Sequence, residues 1–372
     1  MRRQYVATIS LLLACSDGGT KGELDASTLP AGDGGGTAAP LDGASRMTDA
    51  RIRPPRDATS SGDGAACNHA ELSFDPRPPT TVLLVDRSSS MFDNKLWEPL
   101  KAGVLSVVQQ LSSDVRFGFA SYTGKNGGMC PDMTQVAVAE DNYAAIAAAY
   151  NALPAPPYKG ETPTASAVAA IASALVAQEG DAKSIVLVTD GEPDFCDDGN
   201  VTCARDAVVA AVQAAYRQDV RTFILSIGGQ VAGAHLRDVA NAGVGQGVVD
   251  HNNNVKNQCT AKATYGTSEG SAPYFEPDVA NQAALIEVLA GVVARTRSCS
   301  LDLAGRVRVD LDQAERGTVS IDDVSIPYGG ANGFRMNTAT ELELLGTACE
   351  RIRTTRAVRI AVDYPCEAIT YL

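Results

Sequence analysis

The 372-residue chain has little positive charge, few histidines and a single tryptophan. Lys and Arg total 31 against 44 Asp and Glu, which gives a net charge of −13. An acidic chain repels phosphate backbones, so we expect no nucleic-acid partner, whereas divalent metals are favoured. No two cysteines have CxxC spacing, and the three histidines are scattered along the chain. These residues therefore do not form a sequence motif for a structural zinc site.

Signatures of catalysis are also missing. The chain has no HExxH helix, no nucleophile elbow between a strand and a helix, and no histidine near a serine of the pattern described below. The segment GVGQG follows a helical pattern rather than a strand, so it is no dinucleotide loop. We therefore expect a protein that is not an enzyme, with a hydrolase as the weakest alternative.

Residues 1–15 are typical of an export signal. MRR supplies positive charge, and YVATISLLLA is apolar but shorter than the roughly 20 residues that span a bilayer. LLAC, ending at Cys15, resembles the bacterial lipobox, in which the cysteine is lipidated. We expect an exported protein with a lipid anchor on Cys15, in the outer membrane or at the surface of a bacterium. An ordinary signal peptide is the alternative.

The rest of the chain divides into three parts by composition. Residues 16–66 are rich in Gly, Asp and Ala without apolar periodicity, which predicts a disordered linker. In residues 67–298, short aliphatic runs alternate with helical patterns, which predicts an α/β domain with a doubly wound, mainly parallel sheet of six strands. Residues 299–372 show period-two alternation without an intervening helix and predict a small all-β module.

Five oxygen-bearing side chains are expected at one rim of this sheet. Asp86 ends the apolar run TVLLV, and Ser88 and Ser90 lie in the loop that follows it. Asp190 ends a second apolar run, and Thr162 opens a helical pattern. Ligands of doubly wound sheets bind beyond the carboxyl ends of the strands. Each residue also has an ordinary explanation as a turn or cap residue, but all five together favour a metal site.

Two carboxylates and three hydroxyls suit a hard cation. Mg²⁺ prefers six oxygen ligands and retains water readily, with Mn²⁺ or Ca²⁺ as alternatives. Hydroxyl ligands are neutral, so the ion keeps much of its positive charge and can accept a further carboxylate from outside. Arg87 places a cation beside this loop, and Thr164 competes with Thr162 for the threonine position. Three further aspartates in the loop DFCDDGN, Asp194, Asp197 and Asp198, raise the question of an auxiliary ion.

These motifs resemble those of von Willebrand factor type A (VWA) domains. DRSSS matches their DxSxS motif, GETPT contains their G-x-T segment, and VTDG matches their later aspartate. The resemblance covers about residues 80–297. It implies a Rossmann-like fold with a metal-ion-dependent adhesion site formed by Asp86, Ser88, Ser90, Thr162 and Asp190. It also implies that an acidic residue of a protein partner completes the metal coordination. A purely structural metal in an envelope scaffold protein is the alternative.

Eight cysteines remain after Cys15, and an even number in an exported chain predicts disulfides. The termini of the fold implied by the resemblance lie close together, which suggests a bridge between Cys67 and Cys299. Cys349 and Cys366 are expected to close the C-terminal module. Cys196 and Cys203 are near enough in sequence for a local loop, although Cys130 competes for either of them.

Overall fold

The structure of the protein is a computed structural model. It describes residues 50–53, 69–74, 78–124, 129–156, 160–178, 182–196, 200–304, 307–354 and 358–371. The predicted signal segment with Cys15, and the predicted linker apart from residues 50–53, lie outside these ranges.

A five-stranded mixed sheet forms the centre of the first domain, in the order β5-β4-β3-β6-β7. Its strands are β3 (Thr80–Asp86), β4 (Arg116–Thr123), β5 (Asp132–Ala139), β6 (Lys183–Thr189) and β7 (Val220–Ser226). All neighbours are parallel except β4 and β5, which are antiparallel. The α/β prediction is confirmed, but the strand count of six is wrong. The segment APYFEP at residues 272–277, whose composition suits a further strand, contributes only one parallel bridge, from Phe275 to Leu225.

Both faces of this sheet are covered by helices. The first domain contains α1 (Ser89–Asp93), α2 (Trp97–Leu111), α3 (Tyr143–Ala152), α4 (Thr164–Val176), α5 (Val201–Tyr216), α6 (Gly233–Gly243), α7 (Asn254–Gln258) and α8 (Gln282–Ala294). In β3, Val82 and Leu84 enter one core with α4, α5 and α6, while Leu83 and Val85 enter the other with α2, α3 and α8. Because successive side chains of a strand point to opposite faces, an unbroken aliphatic run supplies both cores. Among the described helices, none combines the length and apolar character needed to cross a membrane.

The C-terminal module consists of small antiparallel sheets around a third core. Its strands are β8 (Ser300–Asp302), β9 (Val307–Val309), β10 (Thr318–Ile321), β11 (Val324–Ile326), β12 (Phe334–Thr338), β13 (Glu341–Leu344), β14 (Ile360–Pro365) and β15 (Ile369–Tyr371). The module also contains an α-helix, α9 (Gly346–Thr354), contrary to the prediction of an all-β module. Ala348 and Ile352 bury its apolar side, four residues apart as helical periodicity requires.

Two segments upstream of the first domain join the C-terminal module. Strand β2 (His69–Phe74) pairs with β14, and β1 (Ala50–Arg53) pairs with β2, which extends the sheet to β1-β2-β14-β10-β11. Ala50–Arg53 is therefore ordered, contrary to the linker prediction. Its hydrogen bonds come from β2, which itself pairs with β14 almost 300 residues away, and local composition carries no sign of such partners.

The disulfides differ from the expected pairing. Cys130 bonds to Cys196, Cys203 to Cys259, and Cys299 to Cys349. The predictions of Cys349–Cys366 and Cys67–Cys299 are therefore wrong, as is the local loop from Cys196 to Cys203. Strand β13 pairs with β8, and α9 follows β13 directly, so the chain turns back and brings Cys349 to Cys299.

Cys366 is also disulfide-bonded, and its partner lies outside the described residues. We predict that the partner is Cys67. Cys366 follows Pro365, which is in register with His69, and Cys67 precedes His69 by two positions in the sequence. Peptide mapping of unreduced protein should recover the Cys67–Cys366 peptide. A Cys366 peptide linked to any other cysteine would contradict the prediction.

Candidate metal centre

Two carboxylates meet at the rim where β3 and β6 end. Asp86 is the last residue of β3, and Asp190 directly follows β6, its parallel neighbour. Parallel strands end at the same edge of a sheet, so both side chains lie at one rim, as the sequence analysis expected. Both residues are completely buried.

The serine loop connects the two carboxylates. The Ser88 amide donates to Asp86 Oδ1 at 2.7 Å, and the hydroxyls of Ser88 and Ser90 are 3.0 Å apart. Ser90 Oγ then donates to Asp190 Oδ1 at 2.8 Å. Ser88 is the N-cap residue of α1, but its side chain makes no capping hydrogen bond. The hydroxyls thus face the rim rather than the helix, and four of the five predicted residues form one hydrogen-bonded chain.

Thr162 borders the same space from the opposite loop. A Cβ atom added at Gly191 would lie 3.6 Å from Ser90 Oγ and 3.7 Å from Thr162 Oγ1. Helix α4 begins at Thr164 with Pro163 as its N-cap, so Thr162 does not have the capping role considered from the sequence. The hydroxyl of Thr164 instead lies 3.0 Å from that of Tyr122 in the core. Thr162, rather than Thr164, is the threonine at the rim.

Two supporting residues were missed in the sequence analysis. Thr189 Oγ1 donates to Asp86 Oδ2 at 2.6 Å and so satisfies the second oxygen of that carboxylate. Ser89 Oγ accepts from the Gly160 amide at 2.6 Å and thereby ties the serine loop to the segment that carries Thr162. Each sits beside a predicted ligand in sequence, and its orientation emerges only from the tertiary contacts.

Comparison with known proteins identifies the domain. The family model for the von Willebrand factor type A domain matches residues 81–261. The chain contains a VWA domain. No significantly similar protein was found among curated sequences.

Several solved structures are similar to this chain at low sequence identity. The pilus adhesin SpaC of Lactobacillus rhamnosus GG is 15% identical with a TM-score of 0.41, over 85% of this chain and 43% of its own. A von Willebrand factor type A protein from Catenulispora acidiphila is 15% identical with a TM-score of 0.39, over 81% and 62%. Manganese-loaded TRAP of Plasmodium vivax is 15% identical with a TM-score of 0.40, over 59% and 75%. This chain therefore spans less than two thirds of the length of the first two structures.

The rim of the VWA domain carries uncompensated negative charge. Burial, and then repulsion from Asp190, raises the pKa of Asp86, and burial also raises the pKa of Asp190. Arg87 does not offset this charge, because its guanidinium points away and pairs with Asp132 at 3.0 Å and with the Pro154 carbonyl at 3.2 Å. Asp190 Oδ2 is buried and has no hydrogen-bond partner within the described part of the chain. A cation at this rim would satisfy that oxygen.

The donor set fits a hard divalent cation. Both oxygens of Asp86 already accept hydrogen bonds, so this carboxylate is suited to hold an ion through water. Asp190 Oδ2 and the hydroxyls of Ser88, Ser90 and Thr162 are suited to direct contact. Oxygen-only donors favour Mg²⁺ or Mn²⁺ over softer metals. Of the acidic loop considered for an auxiliary ion, Asp194 donates its amide to the Thr162 carbonyl at 2.9 Å, and Asp197 and Asp198 lie outside the described residues.

We predict that Asp86→Asn stabilises the metal-free protein at neutral pH. An amide can still accept from the Ser88 amide and can donate to Thr189 Oγ1, so packing is preserved while the buried charge is removed. The pKa of Asp86 rises on folding from its ordinary value of 3.8 to about 7. Ionisation of this residue in the wild type therefore lowers the stability of the folded protein as the pH rises through that range. In thermal unfolding with EDTA, the variant should lose less stability between pH 4.5 and pH 7.5 than the wild type loses. An equal loss in both proteins would contradict this account.

Proposed function

We propose that this chain is an exported, membrane-anchored binding protein whose VWA domain holds a protein partner through a Mg²⁺-type ion. The supporting observation is the buried, unpartnered Oδ2 of Asp190 beside the hydroxyls of Ser88 and Ser90. Such an arrangement leaves charge on the ion, because hydroxyl ligands are neutral. An acidic side chain of the partner completes the coordination. The net charge of −13 makes nucleic acid an unsuitable ligand.

The contacts of the rim serines favour binding over catalysis. The hydroxyls of Ser88 and Ser90 contact each other and Asp190, and neither is hydrogen-bonded to an imidazole among the described residues. A serine nucleophile needs such a base. The string GTSEG at residues 266–270 has the spacing of a nucleophile elbow, but it lies in a loop rather than between a strand and a helix. We therefore assign no hydrolase activity.

The proposed anchor is a lipid on Cys15. Its basis is the LLAC segment at the end of a short apolar stretch. We predict that full-length protein from a bacterial host partitions into the detergent phase and that Cys15→Ser moves it to the aqueous phase. Mass spectrometry of the mature N-terminus provides the control. An unlipidated wild-type N-terminus would refute the anchor but leave the metal site untouched.

A pull-down from envelope extract tests the binding function. The immobilised protein should retain a specific partner in Mg²⁺ and lose it in EDTA, and Asp190→Ala should lose it in both. Asp312→Ala is a matched control, since this exposed aspartate lies in the C-terminal module. Metal binding with partner capture that is insensitive to EDTA and to Asp190→Ala would reject adhesion through the ion. It would instead favour a structural metal in an envelope scaffold.

A further inference from the structure

A second cluster of metal-ligating side chains lies outside the rim. Asp238 of α6, His251 of the following 3-10 turn and Glu269 of a later loop each offer one ligand atom, and these atoms lie within 4.8 Å of one another. His251 Nε2 is 3.3 Å from Glu269 Oε1, and His251 Nδ1 is 3.8 Å from Asp238 Oδ1. The second of these distances is too long for a hydrogen bond.

Buried hydrogen bonds hold these segments in place. Asn241, fully buried on α6, donates to the Gly270 carbonyl at 3.2 Å and accepts from the Ala272 amide at 2.9 Å. The Gly270 amide in turn donates to the Gly247 carbonyl at 2.9 Å. These bonds fix the loop that carries Glu269 against the chain that leads to His251. The cluster is therefore positioned by the fold rather than by its own charges.

Two carboxylate oxygens in this region have no hydrogen-bond partner among the described residues. Asp238 Oδ1 and Asp250 Oδ2 are both buried without a hydrogen bond in the described structure. Asp238, Asp250 and His251 line one cavity of about 90 Å³, enough room for an ion with bound water. Asp206 lines the same cavity but is satisfied, because it accepts from the amides of Lys262 and Ala263 and from the Tyr265 hydroxyl.

The charges around the cavity leave a negative excess. Asp238, Asp250 and Glu269 are opposed by Arg237, whose Nε lies 3.6 Å from Glu269 Oε1. Besides His251, two basic residues line the cavity itself, Arg205 and His235. Arg205 is paired with Glu192, and burial lowers the pKa of His235 to about 4 and keeps it neutral. A bound cation would compensate this excess.

We propose that Asp238, His251 and Glu269 bind a divalent transition-metal ion of the zinc type, with Asp250 available as a further donor. One imidazole nitrogen with carboxylate oxygens is a donor set that suits Zn²⁺, whereas Mg²⁺ and Ca²⁺ prefer oxygen alone. Three protein ligands leave a coordination position for water or an external ligand. This site shares no residue with the rim of the VWA domain and does not depend on the function proposed for that rim.

Zinc stoichiometry in a background without the rim site tests the proposal. The full chain carrying Asp190→Ala should bind one Zn²⁺ in equilibrium dialysis with metal analysis. Adding His251→Gln or Glu269→Gln should weaken binding at least tenfold, whereas Glu276→Gln, an exposed glutamate on the same loop, should not. Co²⁺ held in this site with few ligands should show visible d–d absorption stronger than that of the aqueous ion, and His251→Gln should remove that enhancement. Unfolding in EDTA controls for folding of each variant.

Two results would overturn the site. The first is no bound Zn²⁺ in the Asp190→Ala protein. The second is Zn²⁺ that remains as tightly bound in His251→Gln and Glu269→Gln as in Glu276→Gln, which would place the metal elsewhere. Since Glu269 lies in a loop, its variant keeps the test decisive even if His251→Gln fails to fold.

Discussion

Saturating Mg²⁺ is expected to stabilise the VWA domain by about 2.7 kcal/mol at a hundredfold excess of free ion over Kd. The ion binds the folded rim but not the unfolded chain, in which Asp86 and Asp190 are far apart. Ser88→Ala and Asp190→Ala should remove this gain, because they delete donors from the rim. Neither side chain belongs to the two hydrophobic cores of the domain, so both variants should fold. Thermal unfolding with Mg²⁺ and with EDTA measures the difference.

Exposed residues of the C-terminal module provide matched controls for these variants. Ser325→Ala and Asp312→Ala make the same chemical changes away from the rim and should retain the full metal-dependent gain. Identical unfolding of the wild type with Mg²⁺ and with EDTA would remove the basis for the adhesion site. Equal gains in Ser88→Ala, Asp190→Ala and the wild type would place the ion at another site.

Loss of the Cys130–Cys196 bridge should have the second large effect. The bridge joins residues 66 positions apart, for which the chain-entropy relation gives about 4 kcal/mol. It also restrains the loop that leaves Asp190, in which the Asp194 amide holds the Thr162 carbonyl at 2.9 Å. The double variant Cys130→Ala, Cys196→Ala should therefore unfold at lower denaturant concentration and bind Mg²⁺ more weakly. Chemical denaturation and metal titration measure the two effects separately.

The Cys299–Cys349 bridge is the control, because it lies within the C-terminal module. Its double alanine variant should lose stability in that module while the VWA domain keeps its metal-dependent gain. If removal of either bridge weakens Mg²⁺ binding equally, restraint of the rim loop is not the cause. If removal of Cys130–Cys196 leaves stability unchanged, the bridge is absent in solution.

The amino-acid sequence by itself determined the elements that depend on local pattern. The run ending at Asp86 is apolar at every position from Val82 to Val85, so it had to be buried on both faces of a sheet. Parallel strands end at a common edge, so the positions of Asp86 and Asp190 at their strand ends already predicted a shared rim. For this reason, the α/β fold and the rim could be inferred without coordinates.

Long-range contacts decided the rest. Ala50–Arg53 and His69–Phe74 join a sheet with β14, Cys299 pairs with Cys349, and APYFEP makes one bridge instead of a full strand. Only the tertiary structure brings Asp238, His251 and Glu269 together, from a helix, a turn and a loop with no motif spacing. The physical reason is that strand pairing, disulfide choice and side-chain clustering depend on distances in space, which a local sequence pattern does not encode. Hydrophobic periodicity, in contrast, is a property of neighbouring residues in the sequence, so it can be recognised from the sequence alone.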